Sequence, residues 1–310
     1  MELKIVYMGT PEFSVGPLRE IIKDYDVEMV VTQPDKLVGR KKILTPSKVK
    51  EFALENGINV FQPSKIREDY QAIIDIKPDL IVTCAYGQII PKELIELPKY
   101  GCINIHASLL PEYRGGAPIH HAVIDGKDKT GITIMYMNEK MDEGDILYQK
   151  EIEILDTDNT SIMFDKLSKL GSEMIREFIP KLVSGDFTPV KQDNSKATYA
   201  YNITKEDEKI DFNDTSINIY NKIRGLSEVP GGYALLEGKR VKIFNSRIGK
   251  DNKGSVGEII NIYDDGIGIR TNDSEIILTD IQVEGKTREL VKEYLHGIQD
   301  KNKLIGKRFN

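Results

Sequence analysis

The sequence predicts an α/β protein: an open, mostly parallel sheet with helices on both faces, then a small all-β domain, barrel or sandwich. Three observations predict it. Short apolar runs alternate with segments of helical spacing through about the first 125 residues. Those runs are continuous rather than alternating, as strands buried on both faces require. After a polar stretch at 186–204 the pattern changes to short strands separated by turn residues.

Taken in order, residues 3–8 (LKIVYM) form an apolar run ending in Gly9-Thr10-Pro11, and 13–23 has helical spacing. A strand follows at 27–32, a helix at 47–56 and a third strand at 58–61. Residues 70–76 read as helix, 80–85 as strand, 92–97 as a short helix, 102–106 as strand, and 119–124 as the start of a helix. The stretch 131–154 differs, because ITIMYM and ILYQKEIEI flank an acidic turn at 142–144 and read as a hairpin-like pair. A long amphipathic helix spans 160–184, and Gly185 ends it. The polar stretch 186–204 has little periodicity and reads as a linker. Beyond a helix at 216–224, strands are expected at 233–236, 240–246, 257–263, 266–271 and 275–282, with a closing helix at 287–295. The chain has 310 residues, more than the roughly 250–300 at which single cores stop growing. Two domains are therefore expected, 1–189 and 206–310, joined by a linker at 190–205.

Composition is ordinary for a soluble protein, 40% hydrophobic and 30% charged. The formal net charge of -6 does not favour polyanions, so a nucleic-acid partner needs a local basic patch. Residues 36–50 offer one, with Lys36, Arg40, Lys41, Lys42, Lys48 and Lys50 and no acidic residue; the plainer reading is a solvated loop before a basic helix. Cys84 and Cys102 sit in apolar runs and read as buried, reduced thiols. No Cys/His spacing suggests a metal. No stretch approaches the roughly 18 apolar residues of a membrane span, and strand pattern begins at Leu3, so the expectation is a cytoplasmic protein with no leader.

Gly9-Thr10-Pro11-Glu12 stands where a dinucleotide fold carries G-x-G-x-x-G. That fingerprint is absent, and Pro11 lacks an N–H for a pyrophosphate, which argues against a nicotinamide or flavin cofactor. Asn104 and His106 lie two residues apart, on one face of a strand near its carboxyl end, where open α/β sheets place ligands. Asp142 follows 38 residues later in a glycine-containing turn. An amide, an imidazole and a carboxylate are what acyl transfer to an amine needs: an oxyanion donor, a proton-handling group and an acid to orient it. The bland readings are a strand-end histidine and a turn aspartate. His120 and His121 have no such partners in the pattern and read as structural.

Asn104-x-His106 with Ser108-Leu109-Leu110-Pro111, and Met141-Asp142-Glu143-Gly144 further on, resemble the folate-dependent formyltransferase superfamily. Met8-Gly9-Thr10-Pro11-Glu12-Phe13, Thr32-Gln33-Pro34-Asp35-Lys36 with Gly39-Arg40, Gly115-Gly116-Ala117-Pro118-Ile119 and Gly144-Asp145-Ile146-Leu147 resemble its tRNA-directed branch. Lys209-Ile210-Asp211-Phe212, Ile223-Arg224-Gly225 and Gly238-Lys239-Arg240-Val241-Lys242-Ile243 continue the likeness over nearly the whole chain.

The resemblance implies a Rossmann-like open, mostly parallel sheet with helices on both faces, then an OB-like β-barrel that binds tRNA. It implies 10-formyltetrahydrofolate as formyl donor, the α-amino group of methionyl initiator tRNA as acceptor, and a monomer. Asn104, His106 and Asp142 would be catalytic. Ser108, Leu109, Leu110 and Pro111 would contact folate, with Gly87, Gln88, Ile89 and Ile90 as a pterin wall. Lys36, Arg40, Lys41 and Lys42 would contact tRNA. Two departures stand out. Residues 206–310 hold 17 basic and 18 acidic residues, so a basic face needs segregated charge, at Lys239, Arg240, Lys242 and Arg247 or at 301–308. Glu228-Val229-Pro230 replaces a Trp-Pro pair, and the chain has no tryptophan. Alternatives are a formyltransferase for an amino-sugar nucleotide, a folate hydrolase, and a non-enzymatic RNA-binding protein.

Overall fold

The computed structural model describes residues 3–39 and 41–310; the expectation for Arg40 lies outside them. In chain order the elements are β1 (Ile5–Gly9), α1 (Val15–Ile21), β2 (Val27–Val31), β3 (Lys36–Val38), β4 (Ile43–Thr45), α2 (Lys48–Glu55), β5 (Val60–Phe61), α3 (Gln71–Ile76), β6 (Leu80–Cys84), α4 (Lys92–Glu96), β7 (Cys102–His106), α5 (Pro118–Ile124), β8 (Lys129–Tyr136), β9 (Ile146–Glu153) and α6 (Thr160–Ser184). There follow α7 (Ser216–Leu226), β10 (Gly232–Leu236), β11 (Lys239–Gly249), β12 (Ile259–Ile262), β13 (Ile267–Arg270), β14 (Glu275–Val283), β15 (Glu289–Leu290) and α8 (Val291–His296).

Two compact units result. The first comprises Met1–Pro118, Lys129–Glu153 and Phe164–Tyr201, the second Ile119–Asp128, Ile154–Met163 and Asn202–Asn310. This division differs from the expected 1–189, 190–205 and 206–310. Residues 190–201 are no linker: Val190 exchanges backbone hydrogen bonds with Ile146, the Arg114 N–H donates to Thr198 O, and the Ala200 N–H donates to Arg114 O. Residues 119–128 group with the second unit, where Gly225 approaches the backbone of Ile124 so closely that a Cβ would collide with it and Ile124 packs on that unit's core.

The first unit is built on a seven-stranded sheet ordered β5-β2-β1-β6-β7-β8-β9. Strands β5 to β7 are parallel; β8 and β9 run antiparallel as a hairpin. Burial explains the sequence pattern. Central β1 and β6 are buried at every residue, whereas β9 at the edge alternates. Chain order reverses between β1 and β6, so the loops after β1, β6 and β7 open at the carboxyl edge that such sheets use for ligands. The Thr10 hydroxyl donates to Tyr86 O at 2.9 Å and ties two of those loops. Ser47 caps α2 by accepting from the Lys50 N–H at 3.1 Å. α6 ends at Gly185, with φ +77°.

The basic stretch is not a plain loop. β3 and β4 pair Lys36 with Thr45 and Val38 with Ile43 as a short antiparallel hairpin. Leu37 and Ile43 are 63% and 62% exposed on it. The helix expected from residue 13 begins as a 3-10 turn, Glu12–Ser14, before α1.

In the second unit the antiparallel order is β10-β11-β14-β13-β12, with β15 on β14. Glu289–Leu290, expected as helix, pairs as β15 because Asp280 and Ile281 offer a free edge. The last residues join the two outer strands: Asn310 exchanges backbone hydrogen bonds with Leu235, and Phe309 N and Ile259 N donate to Gly257 O and Lys307 O. This closes the sheet on itself around a core that includes Ile243, Ile269, Leu278 and Phe309. Arg224, buried, donates to Leu155 O and Asp158 O at 3.1 and 2.7 Å and serves the scaffold.

Candidate active site

Cys102, Asn104 and His106 alternate onto one face of β7. His106 is 5% exposed. Its Nε2 lies 3.0 Å from Tyr113 O. A carbonyl can only accept, so Nε2 carries a proton and Nδ1 is the atom left for proton traffic. Nδ1 faces Asp142 Oδ2 at 3.7 Å. The same Oδ2 accepts the Gly115 N–H at 2.8 Å, which fixes the carboxylate independently of the ring. Asp142 has φ +50°, a left-handed conformation that only the surrounding turn can enforce. Two residues on, a Cβ at Gly144 would collide with Tyr136 O, so the turn closes only with glycine there.

Asn104 Oδ1 accepts the Thr83 hydroxyl proton at 2.8 Å. The same hydroxyl lies 3.2 Å from Ile103 O; with its proton on Asn104 Oδ1, Nδ2, which has no protein acceptor among the described residues, is the donor end. Sequence reading found the amide, the imidazole and the carboxylate, and the fold brings them together. It missed Thr83, the Tyr113 carbonyl and the Gly115 N–H.

The segment Ser108–Pro111 turns the chain away from β7. Ser108 is buried and donates to Glu112 O at 2.6 Å; Leu110 is buried, while Leu109 and Pro111 are half-buried. In the second expected stretch only Gly87 and Ile89 are exposed. Gln88 serves the loops, accepting from the Ile66 N–H at 2.7 Å and donating to Pro63 O at 3.2 Å. Ile90 belongs to the hydrophobic core with Ile66 and Leu94. A cavity of about 610 Å³ lies beside the Asp142 turn, with Ile95, Cys102, Met137, Glu143, Asp145 and Gln192 among its walls. Met137 Sδ also lies 3.7 Å from Thr83 Oγ1, so one cavity wall touches the residue that orients Asn104.

The basic stretch divides. Lys50 binds Asp35 at 2.7 and 2.9 Å, and Lys48 binds Glu51 at 2.8 Å. Hydrogen bonds from Gln62 and Lys50 hold the Asp35 carboxyl below the usual range. Lys36, Lys41 and Lys42 are exposed on the β3–β4 hairpin. In the second unit the expected basic face is partly paired: Arg240 with Glu208 at 2.7 Å, Arg247 with Asp265 and Lys307 with Glu237 at 2.9 Å. Among the described residues no helix is long and apolar enough to cross a membrane.

An amide, an imidazole and a carboxylate gathered at the carboxyl edge of an open α/β sheet are groups that acyl transfer uses. A formyl transferase family model matches residues 7–179, and one for the formyl transferase C-terminal domain matches 202–299. The chain belongs to the formyl transferase family. Among its relatives, the methionyl-tRNA formyltransferase of Bacillus cytotoxicus is 52% identical over 95% of this chain and 96% of that one. That of Bacillus thuringiensis is 50% identical with the same coverage. An N-formyltransferase from Helicobacter canadensis, solved with folinic acid and dTDP-3-aminofucose, aligns at TM-score 0.69 and 19% identity over 90% of this chain and 99% of that one, a likeness of fold.

Proposed function

We propose that this enzyme transfers the formyl group of 10-formyltetrahydrofolate to the α-amino group of methionyl initiator tRNA, for translation initiation. One observation carries the reading. Asn104, His106 and Asp142 converge at the carboxyl edge of the sheet, in a chain half identical to methionyl-tRNA formyltransferases over 95% of its length.

The acceptor amine, with a free pKa of roughly 8, must be neutral to attack. Its attack on the formyl carbon forms the new C–N bond and puts negative charge on the formyl oxygen. Asn104 Nδ2 donates to that oxygen, and protonated His106 donates through Nδ1. Collapse breaks the bond to N10 of the donor. The proton lost by the amine passes to N10 through the His106–Asp142 pair, with Asp142 holding the charged ring. Protons and charge balance without a covalent intermediate.

Exposed Ile89 and half-buried Leu109 and Pro111 supply apolar surface for the donor. Lys36, Lys41, Lys42 and, by sequence, Arg40 supply cations for the tRNA backbone, with exposed Leu37, Val38, Ile43 and Leu44 available to unstacked bases. The test is formyl transfer from 10-formyltetrahydrofolate to charged initiator tRNA. Formylation of the initiator and not of a charged elongator supports the reading. Formylation of an amino-sugar nucleotide in preference to either tRNA, or release of formate without an acceptor, overturns it.

A further inference from the structure

The Asp142 turn is gripped from the segment that reads as a linker. Gln192 Nε2 donates to Asp142 O at 2.8 Å and to Gly144 O at 2.7 Å, which uses both of its protons. Gln192 Oε1 accepts from Arg114 Nε at 3.1 Å and Nη2 at 2.8 Å. Arg114, 2% exposed, can only donate, so it dictates which end of the amide faces the turn. Asn194 repeats the device: its Oδ1 accepts from Arg114 Nη2 at 2.7 Å, and its Nδ2 donates to Glu143 Oε1 at 2.7 Å. One buried guanidinium thus orients two amides, and both hold the same three-residue stretch.

We infer that Gln192, locked by Arg114, is a positioning residue for Asp142 and through it for His106. The turn needs such a hold. Asp142 carries a left-handed backbone, and strain of that kind persists only where neighbours over-determine it. The carboxylate stands 3.7 Å from the ring, a separation that any drift of the turn alters directly. Loss of geometry on this scale costs group transfer far more than it costs binding. The inference rests on the reading of Asp142 as catalytic, and its test separates the two.

Gln192→Glu keeps an oxygen toward Arg114 but has no proton for the carbonyls of Asp142 and Gly144. The full-length variant should lose roughly 10- to 100-fold in kcat, with KM for the folate donor within about twofold of wild type. Added to Asp142→Asn, the same substitution should change kcat by less than about twofold, because the group it positions is gone. Additive losses, or a loss confined to the folate KM, overturn the inference and make Gln192 a cavity wall. Amide exchange over residues 142–145 gives a readout independent of activity. It should accelerate in Gln192→Glu, and unchanged exchange contradicts the brace. If Asp142→Asn retains wild-type kcat, the catalytic reading of Asp142 fails, and exchange alone decides whether the brace exists.

Discussion

Thr83 and Asn104 are neighbours on parallel strands, and the Thr83 hydroxyl donates to Asn104 Oδ1 at 2.8 Å. An amide has two ends of opposite use, and only the nitrogen end can stabilise a developing oxyanion. Thr83 itself is 3% exposed, so the bond is shielded from competing water. With that proton on Oδ1, the nitrogen end of Asn104 is left to face a substrate.

Thr83→Val removes that bond at nearly constant volume. The loss of one neutral hydrogen bond, about 1 kcal/mol, should appear as a roughly fivefold fall in kcat. KM for both substrates should hold. Steady-state kinetics on charged tRNA check this, and a loss as large as that of Asn104→Ala would mean that Thr83 does more than orient the amide.

Lysines 36–50 should not be equivalent. Lys41 and Lys42 are exposed in the hairpin turn, whereas Lys48 and Lys50 already hold Glu51 and Asp35. Replacing Lys41 and Lys42 by alanine should raise KM for tRNA and flatten its salt dependence, by about 0.7–0.9 in the log–log slope for every phosphate no longer neutralised. KM for folate should stay put. Lys48→Ala should change neither slope nor KM, which a salt titration of tRNA binding reads directly.

Burial pushes the Cys84 thiol up to about 12, and it raises Cys102 too. A raised thiol pKa keeps the neutral, unreactive form through the working pH range. Both thiols should resist a disulfide reagent in the native protein and react fully within seconds to minutes in denaturant. Rapid native labelling of either would contradict their burial.

Residues 306–310 should stabilise the second unit out of proportion to their number. They pair with both outer strands of its sheet, through Leu235 and through Gly257 and Ile259. Their removal exposes two strand edges and uncovers the core that Phe309 fills. Denaturation should show a midpoint lower by several degrees, with greater aggregation on heating; an unchanged midpoint would mean that the closure carries no energy.

Much of this architecture can be read from residue pattern alone. β1 and β6 are continuous apolar runs because both faces are covered, and α6 ends where Gly185 permits a left-handed residue. Asn104 and His106 are legible because the two-residue period of a strand puts them on one face. Other features are not local and leave no periodic trace. The β3–β4 hairpin exposes leucine and isoleucine against the usual pattern. Residues 190–201 bond to Ile146 and Arg114, far away in sequence, and look like a polar linker. Gln192 escapes notice because its partners are backbone carbonyls 48 and 50 residues away. The paired cations Arg240 and Arg247 likewise look free until their carboxylates are located in space.

The most direct test of the central claim is single-turnover formylation of charged initiator tRNA by Asn104→Ala. Saturating 10-formyltetrahydrofolate isolates the chemical step from binding. Loss of one oxyanion donor should slow that step by roughly 10²–10³-fold, or about 2.7–4 kcal/mol, while the dissociation constants for tRNA and folate stay within about twofold of wild type. A rate constant equal to wild type, with tRNA and folate bound as before, would contradict the assignment of Asn104 and the transfer site built around it.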